Sequence, residues 1–309
     1  MTTLLITHPA SLEHLTGAGH PERPERIRAV EAALAEPAFA ALARMPAPLA
    51  TPAEVALAHS AEYVAAIAKA SPSEGYVRID ADTVMSPGSV EAAMRAAGGA
   101  ALAVDEVFAG RAVNAFVAMR PPGHHAEREV PMGFCFFNNA AIAARRAIAA
   151  HGAERVAIVD FDVHHGNGTQ AIFWDDPNVM YASSHEMPLF PGTGAKSERG
   201  AYDQIVNAPL RAGDDGQVFR EAFDSALAPR IAAFAPDLIV ISAGFDAHRR
   251  DPLGDLRLVE ADYSWVTARL MGLAEKYCGG RIVSLLEGGY DLEGLSHSAA
   301  AHVEALMGA

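Results

Sequence analysis

The chain has 309 residues, 50% of them hydrophobic and 20% charged, which is ample material for a sizeable core. Its formal net charge of −14 argues against a non-specific nucleic-acid binder, which needs clustered Lys and Arg, and no apolar run is long enough to cross a bilayer. Two cysteines, Cys135 and Cys278, form neither a CxxC pair nor a disulfide framework, which suits a reducing cytoplasm.

Short apolar runs alternate with longer helical patterns along the chain, the mark of a parallel sheet covered on both faces. The segment Met1 to Pro9, with Leu4-Leu5-Ile6, reads as a first strand, because it has no basic run and no cleavage site. A helix begins near Ser86-Pro87, with Ser as cap and Pro at the first helical position. A strand over Ala115 to Met119 precedes a helix over Asn139 to Ala150, which Gly152 stops. Strands follow over Val156 to Phe161 and Val179 to Ala182, then a helix over Gln217 to Phe234. Next come a strand over Leu238 to Ile241, a helix over Glu260 to Tyr277, a strand over Ile282 to Leu286 and a last helix over Leu292 to Met307. No repeat, low-complexity tract or linker interrupts the pattern, so the expectation is one domain over residues 1–309 with a three-layer α/β architecture.

Five of the apolar runs lead at once into polar, chemically capable residues. These are Arg120 to His125, Asp160 to Asn167, Ser183 to His185, Ser242 to His248 and Glu287 to Asp291. In an open parallel sheet, ligands bind beyond the carboxyl ends of the strands, so the five clusters should meet at one rim. Asp162 and His164, two residues apart at a strand end, point to one side about 6 to 7 Å apart at the backbone. A carboxylate and an imidazole so placed can grip one cation, with Asp246 as the natural third ligand from another strand. Three protein ligands leave a coordination position open, which is the layout of a catalytic metal site.

The stretches Arg120-Pro-Pro-Gly-His-His-Ala126 through Gly133-Phe-Cys-Phe-Phe-Asn-Asn139 and Asp160-Phe-Asp-Val-His-His-Gly-Asn-Gly-Thr169 resemble the histone deacetylase family. So do Phe190-Pro-Gly-Thr-Gly194, Ser242-Ala-Gly-Phe-Asp246 with Asp251-Pro-Leu-Gly254, and Glu287-Gly-Gly-Tyr290, with a weaker likeness at His20 to Arg26. The resemblance implies an arginase-like fold with one eight-stranded parallel sheet, and zinc held by Asp162, His164 and Asp246, with ferrous iron as the other candidate. Arginase-type relatives hold two manganese ions with extra carboxylates. Gly166 and His248 stand where those would fall, so one divalent ion is expected. Potassium is expected beside it, on Asp160, the main chain of Asp162 and His164, and the Ser183 hydroxyl.

The same resemblance implies hydrolysis of an acetamide on acetyl-lysine or a similar long amine. His125 would act as general base and acid and His124 as electrostatic support, with Asp160 orienting His124 and Asn167 orienting His125. Asn at position 167 places the chain nearer the class II branch of the family. The hydroxyl of Tyr290 would donate to the developing oxyanion. Gly133, Phe134 and Phe190 would wall a narrow tunnel for a methylene stem, with Leu253 at its mouth. An acetylpolyamine amidohydrolase is the alternative, although Leu253 replaces the acidic residue of polyamine-selective relatives and leaves Glu127 or Glu129 as substitutes. A catalytically silent acyl-lysine binder is disfavoured by intact His125 and Tyr290, and a manganese ureohydrolase by Gly166 and His248. Acetylated peptides or small amines are thus the expected partners, not nucleic acid or membrane.

Overall fold

The apolar runs Val156–Asp160, Leu238–Ala243 and Ile282–Leu286 are buried at every position, as central strands covered on both faces must be. A computed structural model describes residues 2–308. The first half contains β1 (Thr3–Thr7), α1 (Glu25–Ala33), β2 (Ala43–Pro46), α2 (Pro52–Val55), α3 (Ala61–Ala70), the hairpin β3 (Val77–Arg78) and β4 (Val84–Met85), α4 (Ser89–Phe108), β5 (Asn114–Val117) and α5 (Asn139–His151). The second contains β6 (Val156–Asp160), α6 (Asn167–Ile172), β7 (Val179–Glu186), β8 (Ile205–Leu210), α7 (Gly216–Ala222), α8 (Ala228–Phe234), β9 (Leu238–Ala243), α9 (Glu260–Cys278), β10 (Ile282–Leu286) and α10 (Leu292–Leu306). Met1, included in the first-strand expectation, lies outside the described residues.

Eight strands form one sheet in the order β2-β1-β5-β10-β9-β6-β7-β8, and every pairing is parallel. Alternate residues of each strand feed opposite layers. Val156 and Ile158 pack with α4 and α5 on one face, while Ala157 and Val159 pack with α1, α9 and α10 on the other. This is the expected three-layer α/β architecture with an eight-stranded parallel sheet. Among the described residues no helix is long and apolar enough to cross a membrane.

Three expectations need correction. The helix placed at Ser86-Pro87 starts at Ser89 with Gly88 as cap, because the Ser86 hydroxyl instead accepts the Leu15 N–H at 2.9 Å. The helix over Gln217 to Phe234 is split by a π-helical turn, Phe223–Leu227, just before Pro229, which has no N–H to donate to the preceding turn. The strands after Ala115 and Val156 end early, at Val117 and Asp160, whereas β7 runs on to Glu186. The sheet's outermost strands, β2 and β8, carry weak apolar patterns and a proline each, as edge strands tolerate.

Candidate active site

The metal-ligand candidates sit where the middle of the sheet ends. Asp160, the last residue of β6, lies in register with Ser183 on β7 and Ser242 on β9. The chain then turns, bringing Asp162 and His164 towards Asp246, which follows β9. One ligand atom from each of these three buried residues lies within 4.8 Å of the others. His164 Nδ1 is 3.2 Å from Asp162 Oδ1 and 3.3 Å from Asp246 Oδ2. Asp246 Oδ1 accepts the Val163 N–H at 2.9 Å. Its Oδ2, although close to His164, is not aligned for a hydrogen bond and has no donor among the described residues.

A buried carboxylate oxygen without a donor is costly, and a bound cation would satisfy it. Burial disfavours charge on His164, yet Asp162 and Asp246 outweigh it and lift the ring to about 10. Burial would raise Asp162, but His124 and His164 hold it well below the usual carboxylate range. Burial and then Asp162 raise Asp246. The centre therefore demands positive charge, and two carboxylates with one imidazole fit a single divalent transition ion. Two glycines keep the space open: a Cβ on Gly288 would overlap Asp246 Oδ2, and one on Gly244 would overlap Asp162 Oδ2. Gly288 also donates its N–H to Asp162 Oδ2 at 2.9 Å.

His124 and His125 emerge from the Pro-Pro-Gly turn after β5 with ring centroids 4.0 Å apart. His124 Nδ1 lies 3.0 Å from Asp160 Oδ2, and His125 Nδ1 lies 2.9 Å from Asn167 Oδ1. Both expected pairings are present. Burial opposes charge on both rings. On His124, Asp162 and Asp160 prevail and raise the pKa well above 6.5. On His125, burial, His124 and His164 together depress it well below. The two imidazoles are pushed apart, one towards the charged form and one towards the neutral form. A cation on Asp162 would cancel part of the pull on His124.

Tyr290 completes the ring of groups. Its phenol is buried, which pushes its pKa well above 10 and keeps it an O–H donor. The Arg26 guanidinium lies 4.7 Å over its ring and donates to the Gly289 and Glu287 carbonyls, each at 2.5 Å. A cavity of about 260 Å³ opens above the centre, lined by His125, His164, Gly133, Phe134, Phe190, Leu253 and Tyr290, with Leu189 and Asp82 beside them. Phe134 meets Tyr290 edge-on at 5.8 Å, and Phe190 meets His125 at 5.1 Å. Of the residues expected to hold potassium, Asp160 accepts the Asp162 N–H at 3.1 Å, and the Ser183 hydroxyl bonds His185 Nδ1 at 2.9 Å. His248 turns away to Glu260, 3.5 Å off, and Gly166 contributes no side chain.

Sequence reasoning missed several supporting groups. Glu287 Oε2 accepts the N–H groups of Gly123 and His124 at 2.6 and 3.1 Å, and its Oε1 accepts the Ser242 hydroxyl at 3.1 Å. Burial lifts this carboxyl to about 7. Its signal was present, since an acid placed directly after a fully buried strand needs partners. Glu22, fully buried, joins Arg120 and Arg26 and so anchors the His124 and Tyr290 loops to the N-terminal segment. Asp82, on the loop joining β3 and β4, reaches the cavity without any motif to announce it.

A buried Asp-His-Asp cluster under a cavity with aromatic walls, at the carboxyl end of a parallel sheet, is the layout of a candidate metal centre in an α/β enzyme. The histone deacetylase domain model matches residues 20–306. Histone deacetylase 15 of Arabidopsis thaliana is 43% identical over 94% of this chain, which spans 53%, about half, of that protein's length. The histone deacetylase-like amidohydrolase of Pseudomonas aeruginosa is 38% identical over 94% of this chain and 78% of its own. The crystal structure of the HDA15 HD domain superposes with a TM-score of 0.94 at 41% identity, covering 99% of this chain and 88% of that one. The chain belongs to the histone deacetylase domain family. It is a deacetylase of that family, with a buried Asp-His-Asp metal site.

Proposed function

We propose that the protein removes the acetyl group from acetyl-lysine, or from a similarly long acetylated amine, using zinc held by Asp162, His164 and Asp246. The carrying observation is the cavity of about 260 Å³ with aromatic walls Phe134 and Phe190, which reaches the Asp-His-Asp centre through His164. A methylene stem fits such walls at roughly 0.8 kcal/mol per buried CH₂. When bound, zinc, or ferrous iron in its place, supplies Lewis acidity towards the acetamide carbonyl and the attacking water. His125, held neutral, takes the proton from that water and returns it to the leaving amine. His124, held towards its charged form by Asp162 and Asp160, stabilises negative charge nearby. The Tyr290 hydroxyl donates to the oxyanion. Potassium on Asp160, Ser183 and the main chain of Asp162 and His164 would brace the loop that carries two of the zinc ligands. The two buried free cysteines favour a reducing compartment such as the cytoplasm, and residues 1–309 are read as one deacetylase domain.

Leu253 at the cavity favours a peptide or lysine stem over a polyammonium ion, and this ranks acetylpolyamines second. Comparing kcat/KM of the zinc-loaded protein on acetyl-lysine peptides, longer acyl-lysines, acetylspermidine and acetylputrescine tests the reading. Acetyl-lysine peptides should lead. A tenfold or greater preference for acetylpolyamines would reverse the order, and no amide hydrolysis at all would remove the activity.

A further inference from the structure

A side-chain amide has one accepting and one donating end, so its neighbours reveal which way it faces. Asn167 Oδ1 lies 2.9 Å from His125 Nδ1. Its Nδ2 lies 3.0 Å from Glu127 Oε1, 3.3 Å from Met132 Sδ and 3.5 Å from the His125 carbonyl. All three neighbours of Nδ2 are acceptors. Reversing the amide would set its oxygen against the Glu127 carboxylate, the strongest acceptor of the three. With Oδ1 fixed towards the ring, His125 must present N–H at Nδ1, and its lone pair then sits on Nε2. The carboxylate is itself held on a short turn, because the Glu127 N–H donates to the Val130 carbonyl at 2.9 Å.

We propose that Glu127 is a positioning residue that sets the tautomer of His125 through Asn167. The proposal rests on the reading of His125 as the base. A carboxylate directly against His125 would fix the same tautomer but would also favour the charged ring. The relay through a neutral amide fixes the tautomer and keeps the negative charge one residue away. It also engages Glu127 in the support of the base, which leaves it less free to receive a polyamine at the rim.

The test combines E127Q with N167D. Glutamine at 127 offers a donor as readily as an acceptor, so the Asn167 amide can reverse. E127Q alone should lower kcat roughly 10- to 100-fold, the range seen when an outer partner of a site is lost, with KM and bound zinc little changed. An aspartate at 167 accepts at both ends, so N167D alone sets two carboxylates against each other. In N167D/E127Q the glutamine donates to the introduced carboxylate, which accepts from His125, and kcat should exceed that of N167D. The effect of E127Q therefore reverses sign between the two backgrounds, as direct coupling of positions 127 and 167 requires, and the ring measurement below ties that coupling to the tautomer. An effect of the same sign in both overturns the proposal. Histidine labelled with ¹⁵N in the imidazole ring gives a readout independent of turnover, the His125 signal being the one lost in H125A. The zinc-loaded parent should show Nδ1–H, and E127Q should show Nε2–H or a mixture. Nε2–H in the parent, or unchanged Nδ1–H in E127Q, also overturns it. H125A separately tests the underlying reading, since near-parental turnover in that variant removes His125 as the base whatever the ring measurement shows.

Discussion

Asp251 accepts the main-chain N–H of Tyr290 at 2.6 Å, and the other oxygen of the same carboxyl accepts the N–H of Leu253 at 3.0 Å. One buried group thus fixes both the tyrosine proposed as oxyanion donor and Leu253, two residues that line the cavity. Burial, then Asp246, lifts this carboxyl to about 7, so it is held there at an electrostatic cost. Asp251→Ala should lower kcat and raise KM together, because both loops lose their shared anchor. Stability in urea should fall by about 1–3 kcal/mol, the cost of buried N–H groups left unpaired. Unchanged kinetics and an unchanged urea midpoint would show that these turns are held by other contacts.

Tyr290→Phe removes one hydroxyl and little else. The expected result is a loss of roughly 10²- to 10³-fold in kcat with KM nearly constant, because the donor acts on charge that develops only in the transition state. Near-parental turnover would place the oxyanion donor elsewhere.

Elemental analysis of the purified protein should find about one divalent transition ion per chain, as three ligands and one open position imply. Asp246→Ala should abolish that ion along with activity. Two manganese ions per chain would contradict the single-ion reading, for which the turn of His248 towards Glu260 is the structural support.

The strands at the centre of the sheet and the residues that follow them were legible because burial on both faces leaves an unbroken apolar run, and the polar residues after it stand out. Asp162, His164 and Asp246 stood out that way, whereas the pairings of His124 with Asp160 and His125 with Asn167 came from the resemblance to the histone deacetylase family. The edge strands β2 and β8 were not legible, since β2 is largely exposed and β8, though mostly buried, is interrupted by Asn207 and Pro209. Glu22 and Arg26 lie on the N-terminal segment, and Asp82 on the β3–β4 loop. They act by reaching across long sequence separations, such as the 263 residues between Arg26 and the Gly289 carbonyl, and no local pattern encodes such a contact.

Leu253→Glu should move selectivity towards acetylspermidine by placing a carboxylate at the cavity in reach of a distal ammonium. An exposed ion pair is worth about 0–1 kcal/mol, rising when the site is dry, so the ratio of kcat/KM values should shift by several-fold rather than by orders of magnitude. An unchanged ratio would mean that Leu253 does not meet the distal part of the substrate.

Burial holds His59 and His185 at about 4, and His165 and His302 at about 3, below the ordinary value of 6.5. Between those values and 6.5 the unfolded chain binds more protons at these four rings than the folded one, so each takes stability away as pH falls through that window. The raised carboxyls of Glu287 and Asp251, at about 7, act in the opposite sense, but the four imidazoles outnumber the two carboxyls. The urea midpoint at pH 4.5 should therefore lie below that at pH 7. A midpoint that stays flat from pH 7 to 4.5 would show that the imidazoles do not outweigh the raised carboxyls of Glu287 and Asp251.

The strand order also dictates when activity can appear during synthesis. β10 is the last strand to be made, yet it lies between β5 and β9. Until residues 282–286 arrive, the nascent polypeptide holds a three-strand and a four-strand portion whose facing edges have nothing to join them. The same late strand delivers Glu287, Gly288 and Tyr290, which brace the histidine turn, bond Asp162 and supply the phenol. Synthesis must therefore pass residue 290 before any turnover, and a ribosome stalled before this strand carries Asp162, His164 and Asp246 but no finished catalyst.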